Sequence, residues 1–236
     1  MEAETLRRHP VRLAVWLAIV GLLTVLNFVG RLAESDSQDD LAYRYTTAIT
    51  AFAFYGVLLV IMLVIARVAP RMPVRDAFAL RPPVSWRHAL GLVAGALLAV
   101  YAFVIAYGWL LSLFTDANPS CEQGLAPTEW DPSRAGAFAA FAVSVIVLGP
   151  IVEELLYRGL GFGLVVPYSA LLAILVTGLL FAASHGLVYG FLPLAAFGIV
   201  LGCVRGRTDS TYPAMVMHST FNGVSLVIAL AVSSSC

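Results

Sequence analysis

Seven nearly apolar runs punctuate the chain, at about Val11–Val29, Thr46–Ala66, Ala89–Phe114, Ala135–Val152, Pro167–Ser184, Gly190–Val204 and Tyr212–Val232. Most reach the roughly 17–25 residues that a helix needs to cross about 30 Å of hydrocarbon. In lipid, backbone polar groups must be satisfied within the spanning segment, so such runs can only be helices. The sixth run is short and holds Pro193, which suits a tilted or partly spanning helix. The fold class expected is therefore all-α: a polytopic transmembrane bundle of about seven (six to eight) helices. Its partner is the lipid bilayer. The first run follows Arg7, Arg8 and Arg12 but exceeds the apolar core of a signal peptide, so it reads as a retained helix.

The whole chain is 60% hydrophobic and 12% charged, and all fourteen basic residues are arginine. Threading seven helices with the N-terminus inside leaves only Arg31, Arg44 and Arg134 on the outer side. The other eleven are cytoplasmic, the bias expected of inside loops. The expected localisation is a multi-pass protein of the plasma membrane with a cytoplasmic N-terminus. The outer loops are acidic, with ESDSQDD at Glu34–Asp40 and Asp116, Glu122, Glu129 and Asp131 in the next. A formal net charge of zero hides this layout and offers no basic face for nucleic acid. Cys121 and Cys236 both fall outside in this threading, but spacing alone does not establish a disulfide.

Two proline-rich connectors, Ala69–Arg87 and Thr115–Arg134, divide the chain into 1–134 and 135–236. Nearly all the unusual intramembrane polar residues fall in the second part, which is expected to form a catalytic core of four helices. Ionisable groups there cost about 2.5–3.5 kcal/mol each on insertion and mark function by default.

In GPIVEELLYRGLGF (Gly149–Phe162), Glu154 and Arg158 stand four apart, the favourable order for an intrahelical pair. Glu153 lies about 100° around the helix and has no partner within the segment. His185 ends TGLLFAASHG, with Phe181 on the same face. His218 and Asn222, also four apart, present imidazole and carboxamide toward one neighbour, a spacing that also serves as helix–helix hydrogen bonding. A carboxylate base, imidazoles and an amide donor are the ingredients for activating water and stabilising an oxyanion. Glu153, His185 and His218 also make up a His₂Glu set of the kind that holds catalytic zinc, although no HExxH is present. Nucleophilic chemistry fits less well, since GxSxG is absent and Ser184 and Ser219 lack a nearby Asp.

In EELLYRG, FAASHG and HSTFN the chain resembles the EExxxR, FxxxH and HxxxN motifs of the CAAX protease and bacteriocin-processing intramembrane proteases. The motifs occur in that family's order over about Ala135–Val232. The resemblance implies an endopeptidase acting within the membrane on a membrane-associated protein or peptide. It implies Glu153 as the water-activating carboxylate, assisted by His185, with His218 and Asn222 as an oxyanion pair and Glu154 and Arg158 in support. It leaves zinc and metal-independent mechanisms open. A proton-coupled transporter would show paired interrupted repeats, and none is visible. A silent immunity or binding protein would be expected to lose a motif residue, and none is lost.

His185 lies about 17 residues from the inner end of its run, roughly 25 Å along a straight helix, whereas Glu153 and His218 lie near the inner ends of theirs. A fourth helix continuing past Glu153, from Ala135 to about Leu160, would lower the mismatch.

Overall fold

A computed structural model describes residues 9–33, 41–67, 73–116, 122 and 130–231. The acidic stretch Glu34–Asp40, most of the loop at 117–129, Arg7, Arg8, Arg71, Cys121 and Cys236 lie outside the described residues. Helices α1 (Pro10–Ala33) and α2 (Tyr45–Arg67) are followed by the four-residue α3 (Val74–Ala77) and by α4 (Trp86–Ser112). A long helix α5 (Pro132–Val165) then leads to α6 (Ala170–Ala183), α7 (Phe191–Thr208) and α8 (Tyr212–Ala231). No strand occurs among the described residues. Six of these helices are long and apolar enough to cross a membrane. With exposed side chains such as Leu98, Ile105 and Leu171 on its outer faces, the chain is a polytopic helical membrane bundle.

The helix limits follow local chemistry. Asp131 accepts from Ser133 N (2.9 Å) where α5 opens at Pro132. Ser85 and Ser169 accept from His88 N and Leu172 N at the starts of α4 and α6. Each oxygen satisfies a backbone donor that the first turn leaves open. Because Ser169 caps after Pro167, α6 has only 14 residues, about 21 Å, and is shorter than the sequence run. Pro193 sits in the first turn of the 18-residue α7, where its missing N–H is not needed.

The fourth run departs most from its apolar limits. Its helix does not stop at Val152 but continues through both glutamates to Val165 as one 34-residue unit. Two wide π-helical stretches, Ser144–Leu148 and Leu155–Gly161, interrupt its α-helical geometry. The first accommodates Pro150. Gly149 N bonds to Ser144 O, five residues back, and the next carbonyl in that pattern, Val145 O, faces the proline nitrogen, which has no hydrogen. Asn222 Nδ2 of α8 donates to Val145 O at 2.9 Å and fills the missing place.

Packing against α5 ties the two halves of the chain together. Trp16 of α1 is fully buried and donates from Nε1 to Leu156 O (3.0 Å) in the second π stretch, with its ring edge-on to Tyr157. Helices α6 and α7 meet at Gly178 and Gly198, so closely that a Cβ at Gly198 would stand 2.6 Å from Gly178 O. Small residues permit such backbone contact in bundles where lipid gives helices no hydrophobic reason to associate.

The turn into α8 is buried beneath the α3 segment: Ser210 and Thr211 are fully covered, and Thr211 Oγ1 donates to Phe78 O (2.7 Å). Asp209 adopts the left-handed conformation (φ 47°). It is bound by Arg81 (2.5 Å) and Arg205 (3.0 Å). Burial raises the tendency of its carboxyl to keep a proton, but hydrogen bonds from both arginines outweigh this and hold its pKa below the ordinary value.

Gly198→Ala is expected to lower stability by about 1–3 kcal/mol, the usual cost of overpacking. Gly95→Ala, which meets open space, is expected to leave stability unchanged. Thermal unfolding of both variants in one detergent checks the contrast.

Candidate active site

Glu153 and Glu154 are adjacent in α5 but occupy different surroundings. Glu154 is completely buried. Its Oε1 accepts from Arg158 Nη1 at 3.1 Å and from His218 Nδ1 at 3.0 Å. Arg158, also fully buried, donates from Nη2 to Gly198 O (2.7 Å) and lies over the Phe181 ring at 4.7 Å. Its own carbonyl accepts from Arg205 Nε (3.1 Å), which links this interior pair to the Asp209 turn. The intrahelical pair that the four-residue spacing implies is therefore present and is extended by a third group from α8.

Glu153 turns to the other side, and its side chain keeps 18% of its exposure. Oε1 accepts from Tyr55 Oη of α2 at 2.7 Å, while Oε2 lies 3.9 Å from His218 Nε2. Its partner thus comes from another helix. The His218 ring stands between the two carboxylates, with one nitrogen toward each. Phe181 and Phe197 meet the ring edge-on at centroid distances of 5.5 and 5.2 Å and set its plane.

His185 belongs to the turn after α6. Its Nδ1 lies 2.7 Å from Phe181 O. A carbonyl can only accept, so Nδ1 carries the hydrogen, and in the neutral ring Nε2 keeps its lone pair. The ring packs 4.7 Å from Phe181, the same side chain that abuts His218. Glu153 and His218 lie within electrostatic reach, although no direct hydrogen bond joins His185 to either.

The His185 turn is held by α1. Asn27 Nδ2 donates to Ser184 O (2.7 Å) and Arg31 Nε to His185 O (3.0 Å). Gly186 follows with φ +65° and packs on the backbone of Asn27 and Phe28, where a Cβ would clash. Tyr157 donates to Ser184 Oγ (2.6 Å), which in turn donates to Phe181 O (2.9 Å).

The depth mismatch has a structural resolution. Glu153 lies twelve residues before the end of α5 at Val165, about 18 Å along the axis. His185 lies fifteen residues after the start of α6 at Ala170, about 22 Å. The two come from the same end of the bundle to similar depths, and the buried turn before α8 carries His218 inward to meet them. Asn222, one turn beyond His218, faces the same helix α5 but bonds Val145 O.

Sequence reasoning missed Tyr55, Asn27 and Arg31. Asn27 and Arg31 share a face four residues apart in an apolar run, a signal that could have marked them. Tyr55 carried none, since a tyrosine in a membrane helix is unremarkable.

A metal finds no ready site here. Among the described residues no three His, Cys, Asp or Glu side chains are grouped to hold an ion. Glu153, His185 and His218 do not make such a set.

Removing Arg158 alone strands a buried carboxylate. Arg158→Leu is expected to cost about 3–5 kcal/mol, and Glu154→Leu in addition to restore much of that loss. Chemical denaturation of the single and double variants in detergent measures the coupling.

No curated protein and no solved structure gives a significant match to this chain. Residues 135–224, which hold both glutamates, both histidines and Asn222, match the family model Rce1-like, Type II CAAX prenyl endopeptidase Rce1-like. That part of the chain is similar to the type II CAAX prenyl endopeptidases that the family model describes.

Proposed function

We propose that the protein is an intramembrane endopeptidase that hydrolyses a peptide bond of a membrane-associated protein, of prenylated CaaX type, by glutamate-activated water. The observation that carries this reading is the division between the paired carboxylates. Glu154 is neutralised within the bundle by Arg158 and His218, whereas Glu153 is partly accessible and leaves one oxygen unbonded near an imidazole nitrogen.

In this mechanism Glu153 Oε2 takes a proton from water as the water oxygen attacks the carbonyl carbon. The lone pair on His185 Nε2 orients the same water. The carbonyl π bond opens to an oxyanion, which His218, entering the step as the imidazolium, stabilises through Nε2–H while Nδ1–H remains bonded to Glu154. Collapse of the tetrahedral intermediate breaks the C–N bond. Glu153 passes its proton to the departing amine, leaving a carboxylic acid and an amine, which exchange a proton to carboxylate and ammonium on release. Positioned acid–base groups of this kind contribute about 10²–10⁴-fold. Asn222 holds α8 against α5 through Val145 O and thereby sets the position of His218 one turn away.

The N-terminus is proposed to be cytoplasmic and the location the plasma membrane. Arg12, Arg67, Arg75, Arg81, Arg87, Arg205 and Arg207 gather toward one end of the bundle, the bias of inside loops. The Rce1-like family, described as prenyl endopeptidases, supports the substrate class.

In detergent or proteoliposomes, Glu153→Gln is expected to reduce cleavage of prenylated CaaX peptides by about 10²–10⁴-fold. Glu154→Gln is expected to reduce it less, and a strong chelator to leave the wild-type rate unchanged. Wild-type turnover by Glu153→Gln would sink the proposal, and abolition by the chelator would sink the metal-independent mechanism.

A further inference from the structure

Tyr55 is a side chain that the motifs do not reach. It lies on α2, far from residues 135–224 in the chain, yet its hydroxyl ends on the more accessible of the two glutamates. We infer that Tyr55 is the positioning residue for Glu153, holding one carboxylate oxygen so that the other faces the reacting water. The inference rests on the proposed reading of Glu153 as the water-activating base.

Several observations converge on this role. The hydroxyl-to-Oε1 distance is 2.7 Å, the length of a well-formed O–H···O bond. A phenol has one hydrogen to donate, and a carboxylate can only accept, so the direction of the bond is settled. With Oε1 engaged, rotation of the carboxylate about its last torsion is restricted, and Oε2 remains 3.9 Å from His218 Nε2.

The approach of the hydroxyl depends on Gly149, one turn before Glu153 on the same face of α5. A Cβ there would stand 2.8 Å from Tyr55 Oη and 3.1 Å from its Cζ. Phe54 packs edge-on against the Tyr55 ring at 5.2 Å and limits its swing. The bond therefore combines a shaped gap in α5, an oriented ring from α2 and a carboxylate whose second oxygen is otherwise unbonded.

A purely structural tyrosine would act through its ring, which Tyr55→Phe preserves. The test uses full-length protein in detergent micelles with ¹³C-labelled glutamate carboxyls, the Glu153 resonance being assigned by its loss in Glu153→Gln. Tyr55→Phe is expected to move that resonance at fixed pH while unfolding temperature stays at the wild-type value. On a prenylated CaaX peptide it is expected to lower kcat by about 10–100-fold, the scale of a lost hydrogen bond to a charged group, with KM within about twofold, as uniform binding is untouched. Gly149→Ala, which displaces the hydroxyl without removing it, is expected to move the resonance and kcat in the same direction.

An unmoved resonance and unchanged kcat in Tyr55→Phe, beside an inactive Glu153→Gln, overturn the assignment of Tyr55 alone. Full turnover by Glu153→Gln instead overturns the general-base reading and with it any part for Tyr55 in turnover. In that case the resonance still reports whether the phenol holds the carboxylate.

Discussion

The buried contact among Glu154, Arg158 and His218 sets the terms for the rest of this bundle. Three ionisable side chains from two helices meet where water does not reach, and an unpaired charge there would cost several kcal/mol. The contact forces α5 to keep its helix past the end of the apolar run. It also fixes the face that α8 turns inward and, through Arg158 to Gly198 O, the position of α7 against α6. The close Gly178–Gly198 crossing lets that carbonyl come within reach. Once Glu154 is neutralised in this way, its neighbour Glu153 is left on a different face with a single donor from α2. The asymmetry between two identical side chains is thus a consequence of helical geometry and of which neighbour each one meets.

Backbone irregularity has a similar logic. Pro150 cannot donate, and the π turn around it leaves Val145 O open. Asn222 closes that gap across the helix interface. The proline in the GPIVEE stretch and the asparagine in HSTFN, 72 positions apart in the chain, are therefore coupled by one hydrogen bond. Trp16 serves the second π stretch through Leu156 O. At Val145 O a side chain from another helix supplies what a regular helix would have supplied for itself, and at Leu156 O one adds a tie between helices.

Much of this was legible in advance, for identifiable reasons. The apolar runs located the membrane helices, because lipid leaves no other way to satisfy a spanning backbone. The four-residue spacing of Glu154 and Arg158 announced their pairing. The end of α5 was not legible, since hydropathy drops at Glu153 and only partners on other helices make continuation tolerable. The shortness of α6 was hidden by an apolar Pro167–Tyr168 lead-in that Ser169 excludes from the helix. Tyr55, Asn27 and Arg31 belong to the first two helices, where no motif calls attention to them. They hold the Glu153 carboxylate and the His185 turn through contacts of large sequence separation, and such contacts leave no local pattern. The boundary drawn at 134/135 is crossed by every one of these bonds.

In the proposed mechanism Glu153 and His218 address the two sides of one reacting carbonyl. A structure of the protein bound to a phosphinate analogue of a prenylated peptide tests it most directly, because the phosphinate mimics the tetrahedral intermediate. The account predicts one phosphinate oxygen at hydrogen-bond distance from Glu153 Oε2 and the other from His218 Nε2, with His218 Nδ1 still bonded to Glu154. A phosphinate seated away from both residues, or bound by a His218 ring turned from Glu154, would contradict it.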